Sequence, residues 1–324
     1  MKRLTVFTPT YNRRDLLEAA FEALKKQTSK DFLWMIIDDG STDDTETYAA
    51  EIKKSDCGFE IEYYKKENGG LQTAYVEALK HIKTPLCMCV DSDDYLIDDA
   101  VESLLDFWDR NGSEEVAGII SLDRYPNGVT VGGRFPECMD RVNFKDIAPG
   151  KHGRTGSDVA MLYRTAAYEW TTPAIKYPGE RSINASRQFI QIALHQDMLI
   201  FNRETVVVNY QADGVSNNKF RQYMRSPNTF ADFRMFLLGL DGRTPKSYLR
   251  TAVHYVAECK IAKRPIFTDG LSRKHYVLCA YIPGLLWYAW LKSNADKTNC
   301  LNFTMEKAGR NARSNNVGME ENGR

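Results

Sequence analysis

The sequence predicts an α/β fold, a mostly parallel mixed sheet flanked by helices, with a helical C-terminal extension. Three observations predict it. Short apolar runs alternate with stretches of helical periodicity through about the first 110 residues. Three of those runs end in polar clusters, at Thr8 to Asn12, Asp38 to Thr42 and Asp91 to Asp94. Parallel strands carry their functional groups at such carboxyl ends, along one edge. From about Phe220 onward the pattern becomes helical and more basic.

The elements follow in order. "LTVFTPT" is β-rich and stops in Thr-Pro-Thr. "RRDLLEAAFEALKKQ" repeats Leu16, Leu17, Ala20, Phe21 and Leu24 at helical spacing. "FLWMIIDDGSTDDT" is an apolar run that stops in acid, Gly and Ser, and "DTETYAAEIKK" is a helix capped by Asp43 or Asp44. "FEIEYYKK" alternates like a strand, and "NGGLQTAYVEALKHI" is a Gly-Gly loop entering a helix. "PLCMCV" is a buried strand ending in acid, and "DDAVESLLDFWDRN" is a helix. Beyond Gly112 the reading is strands or a hairpin in "EVAGIISLDRYPNG" and "GVTVGG", then a strand and helix in "DVAMLYRTAAYEW". "SRQFIQIALHQD" is helical and "MLIFNRETVVVNYQ" is β-rich. The expected divisions are 1–218 for the sheet domain (1–110 and 111–218 as its halves), 219–294 for the helical extension and 295–324 for a polar, disordered tail.

Lys plus Arg equals Asp plus Glu at 43 each, so there is no basic excess of the kind nucleic-acid binding needs. The seven cysteines are scattered, without a CxxC pair or zinc spacing, as in a reduced cytoplasmic protein. The N-terminus does not read as a signal peptide, and there is no run of 18 apolar residues. The stretch closest to one, Tyr276 to Lys292, has Pro283 and Gly284 at its middle and several aromatics. It reads as a buried helical hairpin, with a membrane-surface segment as the alternative.

The chemistry lies in the strand ends. Asp91, Asp93 and Asp94 fall within four residues, and crowded carboxylates need a cation or a proton. A hard divalent ion is held by one or two carboxylates together with ligand phosphates. The competing reading is a solvated turn in which Asp94, Asp98 and Asp99 serve the next helix start. Asp38 and Asp39 can accept hydrogen bonds from a base or a ribose, or form a plain strand–turn–helix corner. Gly69 and Gly70 precede a helix that could receive an anion. That loop matches neither GxGxxG nor GxxxxGK[ST], which argues against a hydride-transferring dehydrogenase and a P-loop NTPase.

"VFTPTYNR", "IIDDGSTDDT", "ENGGLQTA" and "CVDSDDYL", in this order over about 95 residues, resemble inverting glycosyltransferase family 2. The resemblance is strong over 1–110, looser over 111–218, and fades after Phe220. It implies a GT-A (Rossmann-like) fold that binds a nucleoside diphosphate sugar, UDP-linked, and a divalent metal, Mn2+ or Mg2+. By position, Thr8, Pro9, Tyr11 and Asn12 would line the nucleotide pocket. Asp38 and Asp39 would meet the base or ribose, and Gly69, Gly70 and Gln72 the ribose or sugar. Asp91, Ser92 and Asp93 form the DxD segment, with Asp93 and Asp91 as metal ligands. The implied reaction moves a sugar to a hydroxyl of a glycan or lipid-linked acceptor with inversion at the anomeric carbon.

The resemblance also implies an acidic base near Asn184, Ala185 and Ser186, none of which is an acid. Glu180 is the one carboxylate between Trp170 and Gln196 and is the expected catalytic base, ahead of Asp197 and Asp158. Asp213 and Ser216 of "NYQADGVSNN" could reach the diphosphate or metal. His81 and His195 read as structural. Two other functions remain open, a non-catalytic nucleotide-sugar or glycan-binding protein and a sugar-1-phosphate nucleotidyltransferase. The latter is disfavoured because "TPTYNRR" has no glycine. The expected location is the cytoplasm, with a peripheral contact at the inner face of the membrane permitted by residues 219–294.

Overall fold

The computed structural model describes residues 2–143, 159–172, 177–181, 186–209 and 219–295. They belong to two compact units, one drawn from 1–174 and 185–209, the other from 175–184 and 210–324.

The first unit is an open, mixed, nine-stranded sheet with helices against it. In chain order it contains β1 (Leu4–Thr10), α1 (Arg14–Lys26), β2 (Phe32–Asp38), α2 (Thr45–Ile52), β3 (Glu60–Lys65) and α3 (Leu71–His81). Then come β4 (Leu86–Cys89), β5 (Tyr95–Leu96), α4 (Ala100–Asn111), β6 (Gly118–Arg124) and β7 (Arg141–Val142). β8 (Val159–Arg164), a 3-10 turn (Thr165–Trp170), α5 (Ser186–Ala193) and β9 (Met198–Val207) complete it. The sheet order is β3-β2-β1-β4-β8-β6-β9-β5, with β7 also paired to β9.

β1 and β2 are buried at every position, which is why they read as continuous apolar runs rather than alternating ones. Phe21 of α1 stacks on Trp34 of β2 at 6.0 Å, while Tyr75 of α3 meets Phe7 of β1 edge-on at 5.1 Å. Val6 and Trp34 are register partners, so Trp34 and Phe7 point to opposite faces, one under α1 and one under α3.

Strand direction positions the site. β3, β2, β1 and β4 are mutually parallel. β8 runs antiparallel to both β4 and β6, and β9 runs parallel to β6. The carboxyl ends of β1, β2, β3, β4, β6 and β9 therefore share one edge. The two-residue strands β5 and β7 have no sequence signature, because both exist only by antiparallel pairing with β9.

The second unit contains α6 (Lys219–Arg225), α7 (Pro227–Gly239), α8 (Pro245–Ile261), α9 (Lys274–Cys279) and α10 (Tyr281–Asn294). Pro227 and Pro245 open their helices where an N–H has no intrahelical partner to lose. Thr244 caps α8 by accepting the Ser247 N–H at 3.2 Å. Ala231, Leu238, Tyr255, Val256, Val277 and Ala280 form its centre. Arg234 and Glu258 pair within it at 3.3 Å, and burial pushes the Glu258 carboxyl up to about 7.

The hairpin expected at Pro283-Gly284 does not form. α9 and α10 instead join at Ala280, whose N–H reaches the Tyr276 carbonyl at 2.9 Å and whose carbonyl accepts from Gly284 at 2.8 Å. Pro283 falls in the first turn of α10, where a missing N–H is tolerated. Gly284 lies against α8, and a Cβ there would come within 2.5 Å of the Val256 Cβ. The tail expected from 295 lies outside the described residues beyond Ala295.

Gly284→Ala should therefore push α10 off α8 and destabilise the chain by about 1–3 kcal/mol, the usual range for overpacking. Thermal melting checks it, and adding Val256→Ala should recover part of the loss.

Candidate active site

The β-ladders run on past the strand ends. Asp39 N–H donates to the Thr10 carbonyl at 2.9 Å, Lys66 N–H to Asp38 at 3.0 Å, and Val90 N–H to Phe7 at 3.0 Å. The loops after β1, β2, β3 and β4 thus leave from one line along the sheet edge.

Asp39 fastens two of them together. Its carboxylate accepts the Gly69 N–H at 2.9 Å, the Gly70 N–H at 2.7 Å and the Lys66 ammonium at 2.6 Å. Asn68 adds a side-chain bond to the Asp39 carbonyl at 2.9 Å. Gly40, at φ +81°, makes this approach possible, since a Cβ there would lie 2.8 Å from the Asn68 nitrogen. Asp38 is fully buried, with one oxygen accepting the Ser41 N–H at 2.7 Å and the other the Tyr63 hydroxyl at 2.6 Å. Burial, then that bond to Asp38, raises the Tyr63 hydroxyl. Both oxygens of Asp38 thus serve the frame.

Asn12 joins the first loop to the second. Its φ is +52°, a conformation Asn tolerates. Its N–H donates to the Ser41 hydroxyl at 2.9 Å and its side-chain oxygen accepts the Thr42 N–H at 2.8 Å. Thr8 is buried, and its hydroxyl accepts from the Trp34 indole at 3.0 Å. Pro9 is buried within β1, whereas Tyr11 is exposed at its end. The Thr10 hydroxyl is buried without a hydrogen-bond partner among the described residues. Gln72 donates to Gln188 and so ties α3 to α5, while its own buried oxygen has no partner among the described residues.

The third loop carries the acids. Carboxylate oxygens of Asp91, Asp93 and Asp94 all lie within 4.8 Å of one another. The turn is closed by the Asp94 N–H on the Asp91 carbonyl at 3.0 Å. Arg13 reaches Asp93 at 3.3 Å and the buried Ser92 hydroxyl at 3.4 Å. Asp94 accepts the Asn209 N–H at 2.9 Å. Burial first, then the charge of Asp91, pushes the Asp94 carboxyl up to about 8, with Asp93 and Asp123 adding to it. A raised carboxyl amid its own kind marks a deficit of positive charge, and the donor set, all hard oxygen, fits Mg2+ or Mn2+.

Sequence reading missed three residues. Arg13 and Lys66 are cations that only the folded chain brings to Asp93 and Asp39. Asp123 ends β6 on the same edge, 5% exposed. The signal that marks it is a carboxylate closing a β-run, as at Asp38.

Glu180, the expected base, is bound within its own unit. Glu180 belongs to the second unit. One of its oxygens accepts the Asn228 N–H at 2.9 Å and the Asn228 amide at 2.8 Å. The other accepts the Thr229 N–H at 2.8 Å and its hydroxyl at 2.7 Å. These are the first N–H groups of α7, so Glu180 caps that helix. Asp197 precedes β9 and so sits at the amino edge of the sheet, bonded by Asn143 at 2.8 Å. Asp158, Asn184, Ala185, Asp213 and Ser216 lie outside the described residues. His81 contacts Glu77 at 3.1 Å and stacks on Tyr64, and His195 stacks on Trp170.

The profile of glycosyl transferase family 2 matches residues 5–169. The chain is 32% identical over 120 residues to poly(ribitol-phosphate) beta-N-acetylglucosaminyltransferase TarP of Staphylococcus aureus, covering 36% of each protein. It is 31% identical over 107 residues to GalNAc(5)-diNAcBac-PP-undecaprenol beta-1,3-glucosyltransferase of Campylobacter jejuni, covering 32% of this chain and 34% of that protein. An uncharacterized glycosyltransferase of Rickettsia conorii is 35% identical over 109 residues, 34% of this chain and 18% of the relative. The chain thus spans 18% to 36% of these relatives' lengths. In fold it is similar to S. aureus TarS 1-349 in complex with UDP-GlcNAc, with TM-score 0.54, 17% identity and coverage of 89% and 81%. It is also similar to mannosyltransferase PcManGT of Pyrobaculum calidifontis in complex with GDP-Man and Mn2+, with TM-score 0.52, 15% identity and coverage of 90% and 84%. The mixed sheet is that of the GT-A fold.

The Asp94 shift has a consequence for stability. A carboxyl raised to about 8 from its ordinary 3.8 contributes stability at low pH that is lost as pH rises through about 8. Thermal melts of the metal-free chain should show this decline, and Asp94→Asn, which keeps the acceptor for Asn209, should flatten it.

Proposed function

The chain belongs to glycosyl transferase family 2, and on that premise we propose that it is an inverting, metal-assisted transferase. It would move a sugar from a UDP-linked donor to a hydroxyl of a glycan or lipid-linked acceptor. The single observation that carries this reading is the acid cluster of Asp91, Asp93 and Asp94 on the same sheet edge as the Asp39 clasp. The relatives named for poly(ribitol phosphate) and for an undecaprenol-linked glycan support a polyol-phosphate polymer or a lipid-linked glycan as acceptor. TarS holds UDP-GlcNAc, which supports uridine as the donor base; PcManGT holds GDP-Man, which makes guanosine the second reading.

In this reading Asp93 and Asp91 hold a divalent cation, with Arg13 fixing Asp93 from the side. Once bound, the cation supplies charge stabilisation for the departing diphosphate. The loop of Gly69 and Gly70, drawn onto Asp39, lines the ribose side of the pocket together with Asn12 and Tyr11. The acceptor hydroxyl attacks the anomeric carbon opposite the diphosphate, so that the centre inverts without a covalent intermediate. The hydroxyl proton must leave to a base. Glu180 is the carboxylate expected for this; its four bonds to the start of α7 support a role in holding that helix instead.

A thermal-shift screen of UDP- and GDP-sugars with and without Mn2+ tests the donor, and one nucleotide sugar should shift the melt only with metal present. Asp93→Ala should abolish that shift and lower transfer by about 10²–10³-fold, the scale of losing transition-state charge stabilisation. A metal-dependent shift with no turnover on any acceptor would instead mark a binding protein. For Glu180→Gln, melting should show about 1–2 kcal/mol of lost stability, with transfer per folded molecule little changed. A hundredfold fall in rate at unchanged stability would restore Glu180 as the base.

A further inference from the structure

α9 and α10 form one nearly continuous, kinked rod with two unlike faces. The inner face is closed. Val277, Ala280 and Leu291 are fully buried, and Gly284 rests on Val256. The outer face carries Leu278 at 68%, Ile282 at 63% and Leu286 at 68% exposure, a row at four-residue steps. Cys279, Pro283 and Ala289 are exposed beside them. A helix packed on a core normally turns polar side chains to water. Single exposed apolar residues are ordinary, but an aligned row of them is not.

The ends of the row are cationic. Exposed Lys274 and His275 precede it and exposed Lys292 follows it. No Asp or Glu occurs from Gly270 to Ala295. Tyr281, Tyr288 and Trp290 are partly buried along the rod, with Trp290 stacked on Trp287 at 4.8 Å. Apolar centre, basic ends and amphipathic aromatics are the composition of a segment that lies in a lipid interface. α10 by itself has 14 residues, about 21 Å, against roughly 30 Å of hydrocarbon, and the inner face of the rod is held on α8 at Gly284, away from lipid. Among the described residues no helix is long and apolar enough to span a membrane.

We propose that this outer face docks the chain onto an anionic bilayer surface. Leu278, Ile282 and Leu286 enter the acyl boundary, while Lys274 and Lys292 sit among anionic headgroups. Charge decides against a second copy as the occupant. With both ends basic and no acid between them, parallel and antiparallel pairings alike set cation against cation. Anionic headgroups complement both ends at once.

Flotation of the full chain with vesicles tests this independently of catalysis. Vesicles of phosphatidylcholine containing about 30% phosphatidylglycerol should carry the protein up, and pure phosphatidylcholine vesicles far less. The triple variant Leu278→Ser, Ile282→Ser, Leu286→Ser should lower flotation by about tenfold or more. Lys274→Glu with Lys292→Glu should remove the preference for anionic vesicles, and it serves as the deciding variant if the triple variant fails to melt cooperatively. No flotation of the wild type, or flotation unchanged by both variants, overturns the proposal. So does a dimer in light scattering that the triple variant dissolves while vesicles bind nothing, which would make the face an interface between copies.

Discussion

Parallel pairing of β3, β2, β1 and β4 is the constraint on which the candidate site depends. A parallel neighbour must return to the same starting edge, so each strand is followed by a helical crossover and each polar strand end returns to one line. Asp39, Lys66 and Asp91 are far apart in sequence, yet the ladder bonds at Thr10, Asp38 and Phe7 set their loops side by side. Strand burial supplies the stability and the strand ends supply the chemistry. The apolar runs therefore stop abruptly in carboxylates instead of tapering.

The two acidic positions on that edge solve opposite electrostatic problems. Asp39 is fully provided for within the chain, by two backbone N–H groups and an ammonium. It gives the glycine loop a fixed shape without help from any ligand. In the cluster at Asp91, Asp93 and Asp94, Arg13 meets Asp93 and the Asn209 N–H meets Asp94, yet burial and the neighbouring carboxylates still push Asp94 up to about 8. The same residue type is thus a fastener in one loop and part of a crowd of like charges in the next. What separates them is the number of carboxylates gathered at one turn.

The helical unit shows a comparable division along a single rod. Gly284 allows α10 to approach α8 closely enough to bury its inner face. That approach commits the rod's orientation and leaves Leu278, Ile282 and Leu286 outside. Glu180 belongs to the same unit and stabilises it from a distance in sequence, closing the N-terminus of α7 with four bonds.

The sequence by itself determined the order of strands and helices through α4 apart from the two-residue β5, the parallel character of the first half, and the clustering of carboxylates at strand ends. Those follow from local periodicity and from apolar runs ending in acid, which need no knowledge of distant contacts. It also carried the family, because four short motifs in a fixed order are a linear signal. Only the tertiary structure decided what holds each carboxylate. Asp38 and Asp39 are adjacent and alike in sequence, but one faces Tyr63 and the other the glycine loop. The partners of Glu180 are not legible locally because they lie almost 50 residues further on, at Asn228 and Thr229. Strands β5 and β7, the rod of α9 and α10, and the position of Asp197 at the opposite sheet edge were likewise set by contacts between remote segments, which no local pattern encodes.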